Sequence, residues 1–233
     1  MRERFTLRRK RKLRLWFSSE MKTLFVSGSD TDVGKTWVVG ALAALFAAKG
    51  CSVQVVKPVE TGVSDSVYSD VQNVLNNCLN ASVTGYTLLS YPLPIAPVAA
   101  AEQEGELLNL ASMVDRVNAL PNTDWRIVEG AGSLAAPVDC DGADWRDFAE
   151  ALKVERTVLV VEDRVGAIGQ ARMLYAYARA KGLSCGVWLN EIREQDLVAR
   201  NATHDGVRSS GIPLWATQRF GSRSAEVLED FWL

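Results

Sequence analysis

The stretch VSGSDTDVGKTW, Val26 to Trp37, is nearly a phosphate-binding loop. The general pattern is a glycine, four residues, then Gly-Lys-Ser/Thr. Here five residues separate Gly28 from Gly34-Lys35-Thr36, so the leading glycine position falls on Ser29. Asp30 and Asp32 also put negative charge where a polyanion would dock. The flanks nevertheless fit. KTLFVSGS before the loop reads as a short apolar strand, and KTWVVGALAALFAAKG after it as an alanine-rich helix stopped by Gly50. A strand, a glycine loop and a helix start bring backbone N–H groups and partial positive charge to one point. Val33, Gly34, Lys35 and Thr36 are therefore expected to hold phosphates, with Lys35 reaching the outer ones and the Thr36 hydroxyl offered to Mg2+.

Outward from the loop, strand and helix patterns alternate. SVQVVKPV, WRIVEGAG, TVLVVED, CGVWLNEI and GIPLWATQ read as strands; NLASMVDRVNAL, DWRDFAEALK, GAIGQARMLYAYARAKG and a terminal SAEVLEDFWL read as helices. Residues 65–90 are polar and helical in part. YPLPIAPVAAAEQEG carries Pro92, Pro94 and Pro97 and reads as a structured loop. Short apolar strands alternating with helices imply an α/β fold: a three-layer parallel sheet with helices on both faces, of the P-loop NTPase type. One such domain is expected over residues 21–233. In these sheets ligands bind beyond the carboxyl ends of the strands, so the residues just after each strand carry the information.

After the second strand comes KPVETG, Lys57 to Gly62. Alone, Lys57 reads as a solvated strand-end lysine; beside a phosphate loop it reads as a cation aimed into the site. Glu129 ends an apolar strand and precedes Gly-Ala-Gly, the place of an acid that helps hold Mg2+; the other reading is a turn that needs glycine. Asp70, by its own setting, reads equally as a solvated helix acid. Asn190 after CGVWL is either a turn residue or an amide able to pair with an adenine edge. The Asn-Lys-x-Asp pattern that selects guanine is absent, because the sequence is NEIR.

Bulk properties narrow the function classes. The chain has 233 residues, 48% of them hydrophobic and 23% charged, which is globular composition. Cys51, Cys78, Cys140 and Cys185 form no close pair, which argues against a disulfide framework or zinc site and for a reducing, cytoplasmic setting. The single histidine, His204, excludes a multi-histidine metal site and reads as a surface residue in a polar stretch. The longest apolar run, near Trp37–Ala48, is shorter than the ~20 residues of a membrane span. Residues 1–20 hold eight basic against two acidic side chains, a balance of +6; with −2 overall, residues 21–233 carry −8. The tail could be a nucleic-acid arm, a targeting peptide, or an extension upstream of a true start at Met21, which falls directly before the first strand. The last is favoured, and the acidic body argues against a nucleic-acid partner.

Taken in order, GSDTDVGKT, KPVETG, Ser69-Asp70, PIAPVAAAEQEG, VEGAGSLAAPV, VGAIGQ and VWLNEI resemble the dethiobiotin synthetase family over nearly all of Met21–Leu233. The resemblance implies an ATP- and Mg2+-dependent ligase that joins CO2 to 7,8-diaminopelargonate and closes a cyclic urea. It implies that Lys35 and Lys57 are catalytic, binding the phosphates and the carbamate. It implies an ATP set of Asp32, Val33, Gly34, Lys35, Thr36, Asp70, Glu129, Asn190 and Pro213. Thr36, Asp70 and Glu129 would arrange Mg2+, and Thr31, Asp32, Lys57 and Thr61 would line the diamine site. It further implies a homodimer, with the substrate carboxylate at backbone N–H groups around Gly166–Gln170. The family often has Asn-His where Gly169-Gln170 stand. Two other classes fit less well. A partition-type ATPase carries an early loop lysine where this chain has Asp30, and a glutamine-dependent amidoligase needs a further domain with a nucleophilic cysteine.

Overall fold

The computed structural model describes residues 21–64, 69–78, 82–228 and 231; the basic segment 1–20 lies outside them. In chain order the elements are β1 (Lys22–Gly28), α1 (Lys35–Ala47), β2 (Val53–Lys57), β3 (Glu60–Thr61), α2 (Asp70–Asn77), β4 (Val83–Thr87), β5 (Ser90–Tyr91), α3 (Pro97–Gln103), α4 (Leu110–Asn118), β6 (Trp125–Glu129), α5 (Trp145–Ala151), β7 (Arg156–Glu162), α6 (Ala167–Ala180), β8 (Cys185–Asn190), α7 (Leu197–Ser209), β9 (Leu214–Gln218) and β10 (Glu226–Val227). Eight strands form one sheet in the order β10-β9-β8-β7-β1-β6-β2-β4. All pairings in it are parallel except β9 with β10. The expected three-layer α/β architecture is what the chain forms.

β1 sets the layers. Its side chains alternate between the two faces, as strand geometry requires. Phe25 meets Trp145 and Phe148 of α5 at ring-centroid distances of 5.8 and 5.9 Å. Leu24 and Val26 face the other way and join Val38, Leu42 and Phe46 of α1 in a second core. All of these side chains are fully buried, so the strand is covered on both faces and reads as one apolar run. β1 also lies where the strand order reverses, between β7 and β6. The crevice outside its carboxyl end is the ligand position that this topology favours.

Three local readings change. The proline-rich segment is a loop only as far as Ala96; Pro97 then opens α3, where a missing N–H costs nothing. α7 has no counterpart in the sequence reading, because it buries only Arg200, Thr203 and Val207 and so shows little apolar periodicity. Of the expected terminal helix, residues 229–230 and 232–233 lie outside the described residues, and its described start holds β10, which turns back antiparallel on β9 with Val227 opposite Ala216. Leu228 N donates to Trp215 O at 2.8 Å, and this short strand covers a sheet edge that would otherwise be open. Among the described residues no helix is long and apolar enough to cross a membrane.

Candidate active site

The loop after β1 is built by its own backbone. Asp30 answers part of the charge question: its Oδ1 accepts a hydrogen bond from Thr31 N at 2.8 Å, and its carbonyl accepts one from Lys35 Nζ at 2.8 Å. It shapes the loop and holds the lysine. Asp32 adopts φ 57° and Gly34 φ 86°, both left-handed. At Gly34 a side chain is also excluded by space, since a Cβ there would lie 2.1 Å from Asn190 Nδ2. The first N–H groups of α1 have no side-chain cap. An uncapped helix start of this kind is a ready anion site.

Lys57, Asp70 and Glu129 converge beside the loop from β2, α2 and β6. The Lys57 ammonium lies 2.6 Å from Asp70 Oδ2, 2.7 Å from Glu129 Oε1 and 3.3 Å from the Gly130 carbonyl oxygen. Thr36 Oγ1 donates to Glu129 Oε1 at 2.8 Å. Burial works against the charge on Lys57, but Glu129 and Asp70 outweigh it and hold its pKa above the ordinary lysine value. For Asp70, burial is likewise overcome by Lys57, and its pKa is lowered. Lys35, by contrast, is brought down to about 8 by burial, with the neighbouring Lys57 charge adding to the effect. One cation is thus locked between carboxylates, while the other is buried with little compensation.

This donor set fits Mg2+. It offers one hydroxyl and two carboxylates, the hard oxygen ligands that this ion takes. A positive group, the Lys57 ammonium, already bridges the two carboxylates. Thr36, Asp70 and Glu129 would hold the ion.

A cavity of about 700 Å3 opens over these groups. Thr31, Asp32, Gly34, Lys35, Thr36, Lys57, Thr61, Asp70 and Glu129 all line it. Three expectations differ. Val33 points its side chain into the core and is 4% exposed, so only its backbone could serve a ligand. Asn190, 1% exposed, lies beneath the loop and donates Nδ2 to Val33 O at 3.0 Å; its Oδ1 has no protein partner. Pro213 stands apart from the site. It precedes β9, at the amino end of the sheet, about five strand residues or ~17 Å from the carboxyl ends.

The sequence reading missed Glu60, Trp37 and Arg223, which also border the cavity. Glu60 stood inside the quoted KPVETG. Arg223 follows the last parallel strand, where the strand-end rule points, but it lies five residues beyond that strand and belonged to no quoted motif. His204 is not a free surface residue: its Nε2 lies 2.6 Å from Asp163 Oδ2, and the carboxylate is 2% exposed by side chain. Glu162, next to it, is paired with Arg164 at 3.0 Å and Arg193 at 2.8 Å. The acids just before α6 are therefore compensated. The helix start behind them, with Gly166 at φ 95° and no side-chain cap, remains able to receive an anion.

A family model described as an AAA domain matches residues 22–216. The chain is 36% identical over 216 residues to the ATP-dependent dethiobiotin synthetase BioD of Rhodococcus erythropolis, covering 90% of this chain and 93% of that protein. It is 35% identical over 234 residues to the enzyme of the same name from Mycobacterium avium, covering 91% and 98%. Among solved structures it is similar to the signal recognition particle receptor FtsY of Elizabethkingia anophelis, with a TM-score of 0.57, 15% identity, and 97% of this chain and 70% of that chain covered. FtsY of Mycoplasma mycoides gives a TM-score of 0.58 at 11% identity over 95% and 71%. At such identities these two speak for the fold alone. Loop, cavity and relatives converge, and the chain belongs to the ATP-dependent dethiobiotin synthetase family, ligases built on the P-loop nucleotide-binding fold.

Proposed function

We propose that this chain closes a cyclic urea from CO2 and 7,8-diaminopelargonate, consuming ATP to give dethiobiotin, ADP and phosphate, as a step of biotin synthesis. The observation that carries this reading is the position of Lys57. Its ammonium sits beside the phosphate loop, four residues before Thr61, and lines the same cavity as Thr31 and Asp32. One amine of the substrate captures CO2 as a carbamate. A carbamate oxygen attacks the γ-phosphate, ADP leaves, and the second amine displaces phosphate from the mixed anhydride with loss of a proton. None of these steps needs a protein nucleophile; they need positioning and positive charge. When bound, Mg2+ supplies charge neutralisation at the phosphates. Lys35 draws negative charge toward the uncapped start of α1. Lys57 would face the carbamate and γ-phosphate, with Asp70 and Glu129 the residues that would hold a metal beside it. Asp32 and Thr31 seat the cationic diamine, which accounts for acid in a phosphate loop. Asn190 Oδ1 has no protein partner but is buried beneath the loop, so adenine would reach it only with a shift of that loop.

The test is ATP consumption with each substrate omitted in turn. ADP release is expected only with ATP, Mg2+, bicarbonate and the diamine together, with dethiobiotin as the mass-detected product. ATP turnover that ignores the diamine would remove this reading. The absence of any close cysteine pair in the sequence supports a reducing, cytoplasmic setting. Val165 and Met173, 81% and 69% exposed, flank Gly169 at the start of α6 and support a homodimer through that face, beside the proposed carboxylate site. Sedimentation equilibrium should give twice the chain mass, and a monomer at micromolar concentration would exclude the dimer.

A further inference from the structure

Glu60 has no part in the chemistry above, yet its placement is specific. It is 7% exposed, lies three residues after Lys57 in β3, and borders the cavity. Its Oε1 accepts a hydrogen bond from Asp70 N at 2.6 Å, across ten residues of sequence. Asp70 is the first residue of α2, so this bond satisfies one of the helix's orphan N–H groups. Ser69 caps a second one, its hydroxyl accepting from Gln72 N at 3.1 Å. The far end of Glu60 is steadied by Thr87 Oγ1 at 3.5 Å and by its own N–H, which donates to Leu89 O at 2.9 Å. Nothing about helix capping needs a carboxylate from a separate strand. What the bond achieves is to tie the turn bearing Lys57 and Thr61 to the helix bearing Asp70.

We infer that Glu60 is a positioning residue that fixes Asp70 for metal binding by gripping its backbone N–H, and so holds the metal side and the diamine side of the cavity as one unit. The inference rests on Asp70 being a ligand to the metal. Partners that orient metal ligands from behind are worth about 10–100-fold in metal affinity. Asp70 is 33% exposed by side chain, and its helix is only eight residues long. A ligand at the exposed start of a short helix depends on such an anchor more than Glu129, which ends a central strand.

The experiment compares Glu60→Asp and Glu60→Gln in the full chain. Aspartate keeps the charge but withdraws the acceptor by one methylene; glutamine keeps an acceptor at the same reach without the charge. Mn2+ uptake in the presence of a non-hydrolysable ATP analogue is read from the loss of the free-ion paramagnetic resonance signal. Glu60→Asp is expected to bind Mn2+ at least ~tenfold more weakly, and Glu60→Gln within ~threefold of wild type. Saturating Mg2+ should return kcat of Glu60→Asp to within ~threefold of wild type, a recovery that general damage to the fold would not allow. Equal Mn2+ affinity in Glu60→Asp and wild type overturns the inference while leaving the metal site standing. So does a loss in Glu60→Gln as large as in Glu60→Asp, because an acceptor kept at the same reach would then not be what holds Asp70. Failure of the wild-type protein to take up Mn2+ overturns the metal assignment and this inference with it.

Discussion

Lys35→Ala is expected to lower kcat/KM for ATP by about 10^3-fold, because removing one preorganised donor aimed at developing charge costs ~10^2–10^3-fold and Lys35 also serves the ground-state phosphates. Steady-state kinetics with the complete substrate set checks this, and a loss under tenfold would remove Lys35 from the catalytic groups. Stability should move the other way. In the free protein Lys35 is 7% exposed, and among the described residues its ammonium donates to the Asp30 carbonyl alone. Its pKa is held at about 8 rather than 10.5, first by burial. A lysine depressed in the folded state is a burden below about pH 8, where it is charged in both states. That burden lifts between about 8 and 10.5, as the folded form alone gives up its proton. Thermal melts should therefore find Lys35→Met no less stable than wild type at pH 7, with wild type gaining on it as the pH rises from 8 to 10. The same titration makes ATP affinity fall as the pH passes 8. The phosphate site is thus stressed when empty and relieved by its ligand.

The site was legible wherever the chemistry follows a strand directly. Lys35, Lys57 and Glu129 each lie at or just beyond the carboxyl end of a parallel strand, and apolar runs mark those strands plainly. Asp70 was harder. Its helix is short and buries only Val71 and Val74, so nothing in its periodicity says which way the acid points. Only the resemblance attached it to the metal, and the Lys57 contact now gives it a physical place. Glu60 was invisible for a different reason: its role is a bond to a backbone N–H ten residues away, and side-chain patterns carry no trace of that. Pro213 failed by direction. Only the resemblance put it in the ATP set, and it stands at the entrance of β9 and not at its exit. α7 and β10 failed through weak patterning: one helix packs by arginine and threonine, and one strand is two residues long.

Lys57→Ala is the most informative single change, because it should remove catalysis and stability together and let one of them be restored. Turnover is expected to fall about 10^3-fold, since the variant loses the cation proposed to face the carbamate. Glu129, 2% exposed by side chain, and the partly exposed Asp70 would then stand together with no ammonium between them. Stripping one partner from a buried ion pair costs ~3–5 kcal/mol; with Asp70 partly in water the lower end, about 3 kcal/mol, is expected. A lower thermal midpoint without metal is the measurement. Mg2+ should raise that midpoint more in Lys57→Ala than in wild type, because in the variant the ion enters an uncompensated carboxylate pair, whereas in wild type it must first displace an ammonium. Turnover should stay low at any Mg2+ concentration, since the ion replaces the charge between the carboxylates but not the one facing the carbamate. If kcat survives in Lys57→Ala, the lysine is a structural counter-ion only. If Mg2+ stabilises wild type and variant equally, Asp70 and Glu129 are not where the metal binds. The two readouts separate the two duties proposed for Lys57: counter-ion to Asp70 and Glu129 in the free protein, and cation toward the substrate.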